Sequence, residues 1–158
     1  MLKTFFLLLI SLSLFGKGYR FSEIRYSDAL DLEKKQNGII EFLPNGVSVL
    51  YPESNTTISY IDADLLYTKN KKKIPLDAIQ SAQIIQYFEI LDMIHTHDKE
   101  QLKEMFFVKK LPNGNSVLFP KEELEEFISK IEIDQSKTVR IYMKNKDRIT
   151  IKIDEKVQ

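Results

Sequence analysis

Hydrophobic and polar residues alternate along most of the chain. Val139, Ile141 and Met143 fall to one side of an extended segment, and Arg140, Tyr142 and Lys144 to the other. Beyond the polar turn Asn145-Lys146-Asp147, Ile149, Ile151 and Ile153 alternate with Thr150 and Lys152. A period of two on both sides of a short turn predicts an antiparallel hairpin with one wet face and one dry face. Ile58-Ser59-Tyr60 and Leu65-Leu66-Tyr67, joined through Asp62-Ala63-Asp64, follow the same plan. So do residues 39–43 and 47–51 around Pro44-Asn45-Gly46.

One central stretch breaks the alternation. Between Leu76 and Ile94 the apolar residues include Ile79, Ala82, Ile84, Ile85, Phe88 and Leu91, which predicts a helix with Gln80, Gln83, Gln86 and Glu89 on its polar side. Pro75 precedes it, where a fixed φ suits a helix start. A second helix is expected after Asp98, whose carboxylate can cap it with Gln101 three residues on; Leu102, Met105 and Phe106 form its stripe. A third is expected over residues 121–131, from Leu124, Phe127, Ile128 and Ile131. Phe21 to about Lys35 opens the mature fold, as strand or helix.

The segment LPNGVSVLYP at Leu43–Pro52 returns as LPNGNSVLFP at Leu111–Pro120. The flanks do not repeat, so the echo is not a duplicated domain. It predicts two hairpins built on one turn chemistry, since Asn-Gly tolerates the positive φ of a tight turn. The closing prolines mark where each second strand stops pairing.

Composition narrows the function. With 158 residues and 43% hydrophobic content, the chain can form one domain with a substantial core. Lys plus Arg equals Asp plus Glu at 23 each, which argues against a protein that coats nucleic acid. There is no Cys, so disulfides, thiol catalysis, cysteine metal sites and N-terminal lipidation at Cys are excluded. At the start, Lys3 precedes the apolar run 5–15, followed by Gly16 and Gly18, the pattern of an export signal. The run is too short to span a bilayer, which takes roughly 20 apolar residues. The expectation is a signal peptide at 1–18, removed to leave a soluble domain outside the cytoplasm at 19–158; the alternative is a short uncleaved anchor.

The order of elements resembles the LolA family of periplasmic outer-membrane lipoprotein carriers, in particular its shorter LolA-like relatives. The carrying stretches are Gly38-Ile39-Ile40-Glu41-Phe42-Leu43-Pro44-Asn45, the hairpin 58–67, Asn113-Gly114-Asn115-Ser116-Val117-Leu118-Phe119-Pro120, the hairpin 139–153, and Asp98, Leu102 and Phe106 at D-x3-L-x3-F spacing. Leu43 stands where larger members carry a basic residue, and the chain has no Trp. The resemblance implies an α+β fold: a strongly curved antiparallel β-sheet, or half-barrel, with helices covering its concave face. It implies a carrier that shields the acyl chains of lipoproteins, or a related acylated lipid, during transfer from inner to outer membrane. An inner-membrane transporter would donate the cargo and an outer-membrane acceptor would take it from a monomeric carrier.

A bent sheet has one concave apolar face that a helix must cover or a ligand must fill. The candidates for a lipid-binding cavity are Phe42, Val47, Val49, Tyr51, Ile58 and Tyr60 on the sheet, and Ile84, Ile85, Phe88 and Leu91 on the helix. One acyl chain hides on the order of 12 kcal/mol of apolar surface from water, so it cannot cross an aqueous compartment without shielding. The rival reading is an envelope binding or scaffold protein whose apolar face is permanently filled by its own helix. A small exported enzyme ranks last, because no nucleophile–base pair or carboxylate pair stands out. No cofactor or metal is expected: His95-Thr96-His97 reads as a link between helices. Lys69-Asn70-Lys71-Lys72-Lys73 reads as a solvated turn or a dock for an acidic partner or an anionic membrane surface. Glu122, Glu123, Glu125 and Glu126 read as a solvated helix face, and Asp62 and Asp64 as turn residues.

Overall fold

The computed structural model describes residues 17–156. The strands are β1 (Lys17–Ser27), β2 (Leu32–Leu43), β3 (Gly46–Tyr51), β4 (Thr56–Ile61), β5 (Asp64–Lys69), β6 (Lys72–Lys73), β7 (Phe106–Lys110), β8 (Ser116–Pro120), β9 (Ile128–Ile133), β10 (Thr138–Met143) and β11 (Arg148–Lys156). Two α-helices, α1 (Ala78–Thr96) and α2 (Lys99–Met105), interrupt them between β6 and β7. The strands form one antiparallel sheet in the order β6-β5-β4-β3-β2-β1-β11-β10-β9-β8-β7, which does not close into a barrel. The α+β class expected from the sequence is therefore present. The apolar run at 5–15 lies outside the described residues, whereas Lys17 and Gly18 open β1. The segment left open between strand and helix, from Phe21 onward, is strand in both β1 and β2.

Short turns set the registers. Asp62 and Ala63 have φ of 52° and 61°, and Asn70 and Lys71 have 51° and 62°, the two-residue geometry that matches the twist of flanking strands. The two copies of the Pro-Asn-Gly sequence both join paired strands, β2 to β3 and β7 to β8, but in different ways. In the second copy Gly114 has φ +85° and donates to the Leu111 carbonyl at 3.0 Å, so it serves as the left-handed residue of the turn. In the first copy Gly46 pairs with Leu43 and is absent from the positive-φ positions. There glycine is needed for another reason: a Cβ would collide with the Tyr60 carbonyl oxygen and lie 2.8 Å from the Ile61 Cα. The single shared turn solution expected from the sequence is thus corrected. One letter, Gly, meets a torsional need once and a steric need once.

Both helices begin at carboxylate caps, and that of α1 is reciprocal. The Gln80 amide donates to the Asp77 carboxylate at 2.8 Å, and the Gln80 side-chain oxygen accepts from the Asp77 amide at 3.2 Å. This box, rather than Pro75, fixes the start of α1. The Gln101 amide donates to Asp98 at 3.1 Å, as expected for α2. The third expected helix is not an α-helix: residues Glu122–Glu126 form a 3-10 turn and Ile128–Ile133 is strand. Four glutamates in five residues repel at the i, i+3 and i, i+4 spacings that an α-helix brings together, and Ile128, Ile131 and Ile133 favour a pleated surface.

The chain divides into two compact units. The first comprises Gly38–Phe88 with the described residues before Phe21 and after Asp154; the second comprises Phe21–Asn37 and Glu89–Asp154. In the first, Ile40, Val47, Val49, Tyr51 and Phe88 are buried. In the second, Leu118, Ile131, Ile141 and Ile151 are sealed along the inner sides of β8–β11, with Phe21, Ile90, Leu91 and Met93 also buried. The opposite side is polar on β9 and β10, whereas β8 shows Val117 and the exposed Phe119 there. Lys130 pairs with Glu132 at 2.6 Å, Tyr142 donates to Glu132 at 3.1 Å, and Arg140 pairs with Asp134 at 3.1 Å. A register shift between Tyr142 and Met143 ends the strict alternation of β10 against β9.

Candidate functional site

The registers decide which candidate side chains share a face. Phe42 pairs with Val47 and Val47 with Tyr60; Val49 pairs with Ile40 on one side and Ile58 on the other; Tyr51 pairs with Thr56. Directly opposed residues of an antiparallel ladder point the same way, and residues two apart along a strand do too. Phe42, Val47, Val49, Tyr51, Ile58 and Tyr60 therefore form one continuous apolar face. Leu65 and Tyr67 extend it onto β5 by pairing with Tyr60 and Ile58. The reverse face mixes Glu41, Ser48, Thr57, Ser59 and Thr68 with Ile39, Ile61 and the exposed Leu50 and Leu66.

Burial is graded across this face. Val47, Val49 and Tyr51 on β3 are sealed, while Phe42, Ile58, Tyr60, Leu65 and Tyr67 on its neighbours are only half-buried. Phe42 makes an edge-to-face contact with Tyr19, ring centroids 6.1 Å apart. Buried Thr56 is satisfied locally by Ser54, hydroxyl to hydroxyl at 2.9 Å.

Helix α1 supplies the remaining candidates. Ile84 and Ile85 are half-buried and Phe88 is sealed, its ring 6.0 Å from that of Tyr87. Leu91 is also sealed but belongs to the second unit, so nine of the ten candidates fall within the first. Polar residues recur in α1 at every third position: Gln80, Gln83, Gln86, Glu89, Asp92 and His95. Three residues advance about 300° around a helix, so this stripe retreats about 60° at each step. The apolar surface winds with it and cannot lie flat against one sheet face along the whole length. Ile84, Ile85 and Ile94 remain half-buried, and Ile79 stands 71% exposed. Glu89 reaches solvent, yet partial desolvation raises its carboxyl; desolvation also raises Asp92, opposed by the nearby charge of His95.

Glu23 was missed by sequence reasoning. It is fully buried in β1, where its carboxylate accepts from Arg25 Nε at 2.7 Å and from Gln36 Nε2 at 2.6 Å. The available signal was parity: Phe21, Glu23 and Arg25 alternate on one side of an extended segment. The other sequence candidates resolve as follows. Among the described residues no three or more His, Asp or Glu side chains gather in a way that could hold a metal ion. Residues 69–73 build the β5–β6 hairpin at one end of the sheet. Glu122, Glu123, Glu125 and Glu126 are exposed around the single buried residue Leu124. Asp62 occupies a turn, and Asp64 opens β5. No described helix is long and apolar enough to cross a membrane.

No protein-family model matches the chain, and no curated protein matches it in sequence.

Proposed function

We propose that this is a periplasmic carrier that shields acyl chains, of lipoproteins or a related acylated lipid, against the apolar face of β2–β5. The observation that supports this is the gradation within one face: sealed side chains on β3 pass directly into half-exposed apolar ones on β4 and β5. A surface of that composition gains by taking up a hydrocarbon chain, each CH₂ contributing about 0.8 kcal/mol. In this reading the sheet bends around its cargo, and residues 78–88 act as a lid whose winding apolar surface covers the face only in part. Opening would require the cargo to bind the uncovered state better than the lid does. Transfer then proceeds down a gradient of affinity, from an inner-membrane donor to an outer-membrane acceptor, without covalent chemistry.

Native mass spectrometry of protein taken from its own periplasm tests the reading. A releasable acylated passenger is expected; a passenger-free protein that also takes up no fatty-acyl probe would overturn it. The competing reading is a scaffold whose face is filled permanently by α1, and the sealing of Val47, Val49 and Phe88 favours that outcome locally. Charge at half-buried Ile85 separates the two. A carrier variant folds but fails to bind an acyl probe, whereas a scaffold variant loses its fold.

A further inference from the structure

Three asparagines are followed directly by glycine: Asn37, Asn45 and Asn113. In such a pair the glycine nitrogen can close a five-membered ring onto the side-chain carbonyl carbon of the asparagine, and no Cβ obstructs its approach. The fold holds the three pairs differently. Asn37 and Gly38 lie within β2, and Gly38 is buried. Gly46 opens β3, paired with Leu43 on one side and Ile61 on the other, and the Asn45 carbonyl accepts from the Asp62 amide at 3.0 Å. Turning the peptide plane at either place requires ladder bonds to open first. Asn113 and Gly114 belong to no strand; both are exposed in the turn between β7 and β8.

The bonds around Asn113 bear on its reactivity. The Asn115 amide donates to the Asn113 side-chain oxygen at 3.1 Å. That donor polarises the side-chain carbonyl and stabilises the negative charge that gathers on its oxygen during attack, as an oxyanion donor does. Two bonds oppose ring closure. The Gly114 amide donates to the Leu111 carbonyl at 3.0 Å and must release it, and the Asn113 backbone carbonyl accepts from the Gln135 side-chain amide. One turn bond and one flexible side chain at an exposed tip open more readily than a strand ladder.

We propose that Asn113 is a site of spontaneous modification, converting to aspartyl and isoaspartyl residues through a cyclic imide while Asn37 and Asn45 persist in the folded chain. The Gly114 nitrogen gives up its proton to the solvent and attacks the Asn113 Cγ. The new N–Cγ bond closes the ring, the Cγ–Nδ2 bond breaks, and ammonia leaves carrying a proton returned from the solvent. Water then opens the ring at either carbonyl. Opening at Cγ leaves aspartate, whereas opening at the backbone carbonyl leaves isoaspartate, whose main chain runs through Cβ. One water is consumed and one ammonia released, with no oxidant or reductant. Either product adds a negative charge to a chain whose formal net charge is zero. Isoaspartate also lengthens the main chain by one atom inside a turn that the Leu111 amide and the Asn115 carbonyl close at 2.8 Å. This inference stands independently of the carrier reading.

Peptide mapping by mass spectrometry of the full chain, incubated folded in mildly alkaline buffer, tests the proposal against the same chain unfolded in guanidinium. Unfolded, all three pairs should convert at similar rates. Folded, Asn113 should convert roughly tenfold or more faster than Asn37 and Asn45, because only those two must first break ladder bonds. Both isomers are expected at position 113, told apart by fragmentation across the altered backbone. Asn113→Gln, whose attack would need a less accessible six-membered ring, should keep the fold and remove the main acidic species seen on isoelectric focusing. An Asn113 that stays intact while the unfolded chain converts overturns the proposal. So does a folded chain in which Asn37 or Asn45 converts as fast, or one that yields aspartate without isoaspartate, or an acidic species undiminished by Asn113→Gln.

Discussion

Val49 and Ile58 face each other across the β3–β4 ladder, but only one of them is sealed: Val49 retains 2% of its surface and Ile58 is half-exposed. The boundary between core and candidate binding surface runs between these two paired side chains. Val49→Asp places an unpaired charge in a closed site and should cost about 3–5 kcal/mol or prevent folding. Ile58→Asp should cost less than about 1.5 kcal/mol, because its carboxylate can reach water, while abolishing acyl-probe binding. Urea denaturation and probe fluorescence on the two variants check both halves. Equal destabilisation would place Ile58 in the core and remove the basis of the carrier reading.

The two glycines of the repeated Pro-Asn-Gly sequence should respond differently to alanine. At Gly46 the obstruction is backbone, the carbonyl of Tyr60 and the Cα of Ile61, and neither can move without disturbing the β3–β4 ladder. Gly46→Ala should cost about 3 kcal/mol or more. At Gly114 the nearest atoms belong to the flexible side chain of Gln135, so the main cost is the left-handed φ, about 1 kcal/mol. Denaturant midpoints at unchanged slope would measure the difference. Similar costs would show that one turn geometry serves both copies after all.

These glycines also show what could be read in the sequence. Strand periodicity located the hairpins at 39–51, 58–67 and 139–153, and parity placed all six sheet candidates correctly on one face, because alternation is a local property. Which glycine is steric and which torsional depends on β4, a strand beyond the repeated segment, and no local pattern carries that. The third helix failed for a related reason. Apolar spacing at Leu124, Phe127 and Ile128 fits a helix, but repulsion among four glutamates and the pairing of β9 with β10 outweigh it. The extent of burial on Ile58 or Ile85 lay beyond sequence because it depends on what covers them.

Acid should loosen the β9–β10 hairpin. Hydrogen bonds from Lys130 and Tyr142 hold Glu132 below its ordinary carboxylate range, and those from Ser136, Thr138 and Arg140 do the same for Asp134. A carboxyl lowered in the folded state contributes stability above its unfolded value and loses it as pH falls through the folded one. Glu89 and Asp92 act in the opposite sense: raised by desolvation, they oppose folding at neutral pH and stop doing so as they protonate. Glu132→Gln should flatten the acid loss, whereas Glu89→Gln should raise stability near neutrality and leave the acid limb unchanged. Thermal melts from pH 3 to 7 distinguish them, and an acid limb unaffected by Glu132→Gln would locate the pH response elsewhere.

The last prediction concerns Glu23, whose side chain is fully enclosed while that of Arg25 is 45% exposed. A carboxylate in that position persists because the Arg25 guanidinium and the Gln36 amide donate to it, and stability is most sensitive to losing one of them alone. Arg25→Met should cost about 2–3 kcal/mol, since it removes a charge-assisted hydrogen bond and leaves the carboxylate short of a donor. Glu23→Leu alone relieves that burial but strands the Gln36 amide, which donates to the same oxygen. The triple change Glu23→Leu, Arg25→Met, Gln36→Leu should therefore recover most of the loss, because an apolar cluster of similar volume needs no donors. If the triple variant is less stable than Arg25→Met, the group contributes more than its internal hydrogen bonds. If it instead matches the unaltered chain, retention of the buried carboxylate requires a role outside folding, which acyl-probe binding by the same variants would reveal.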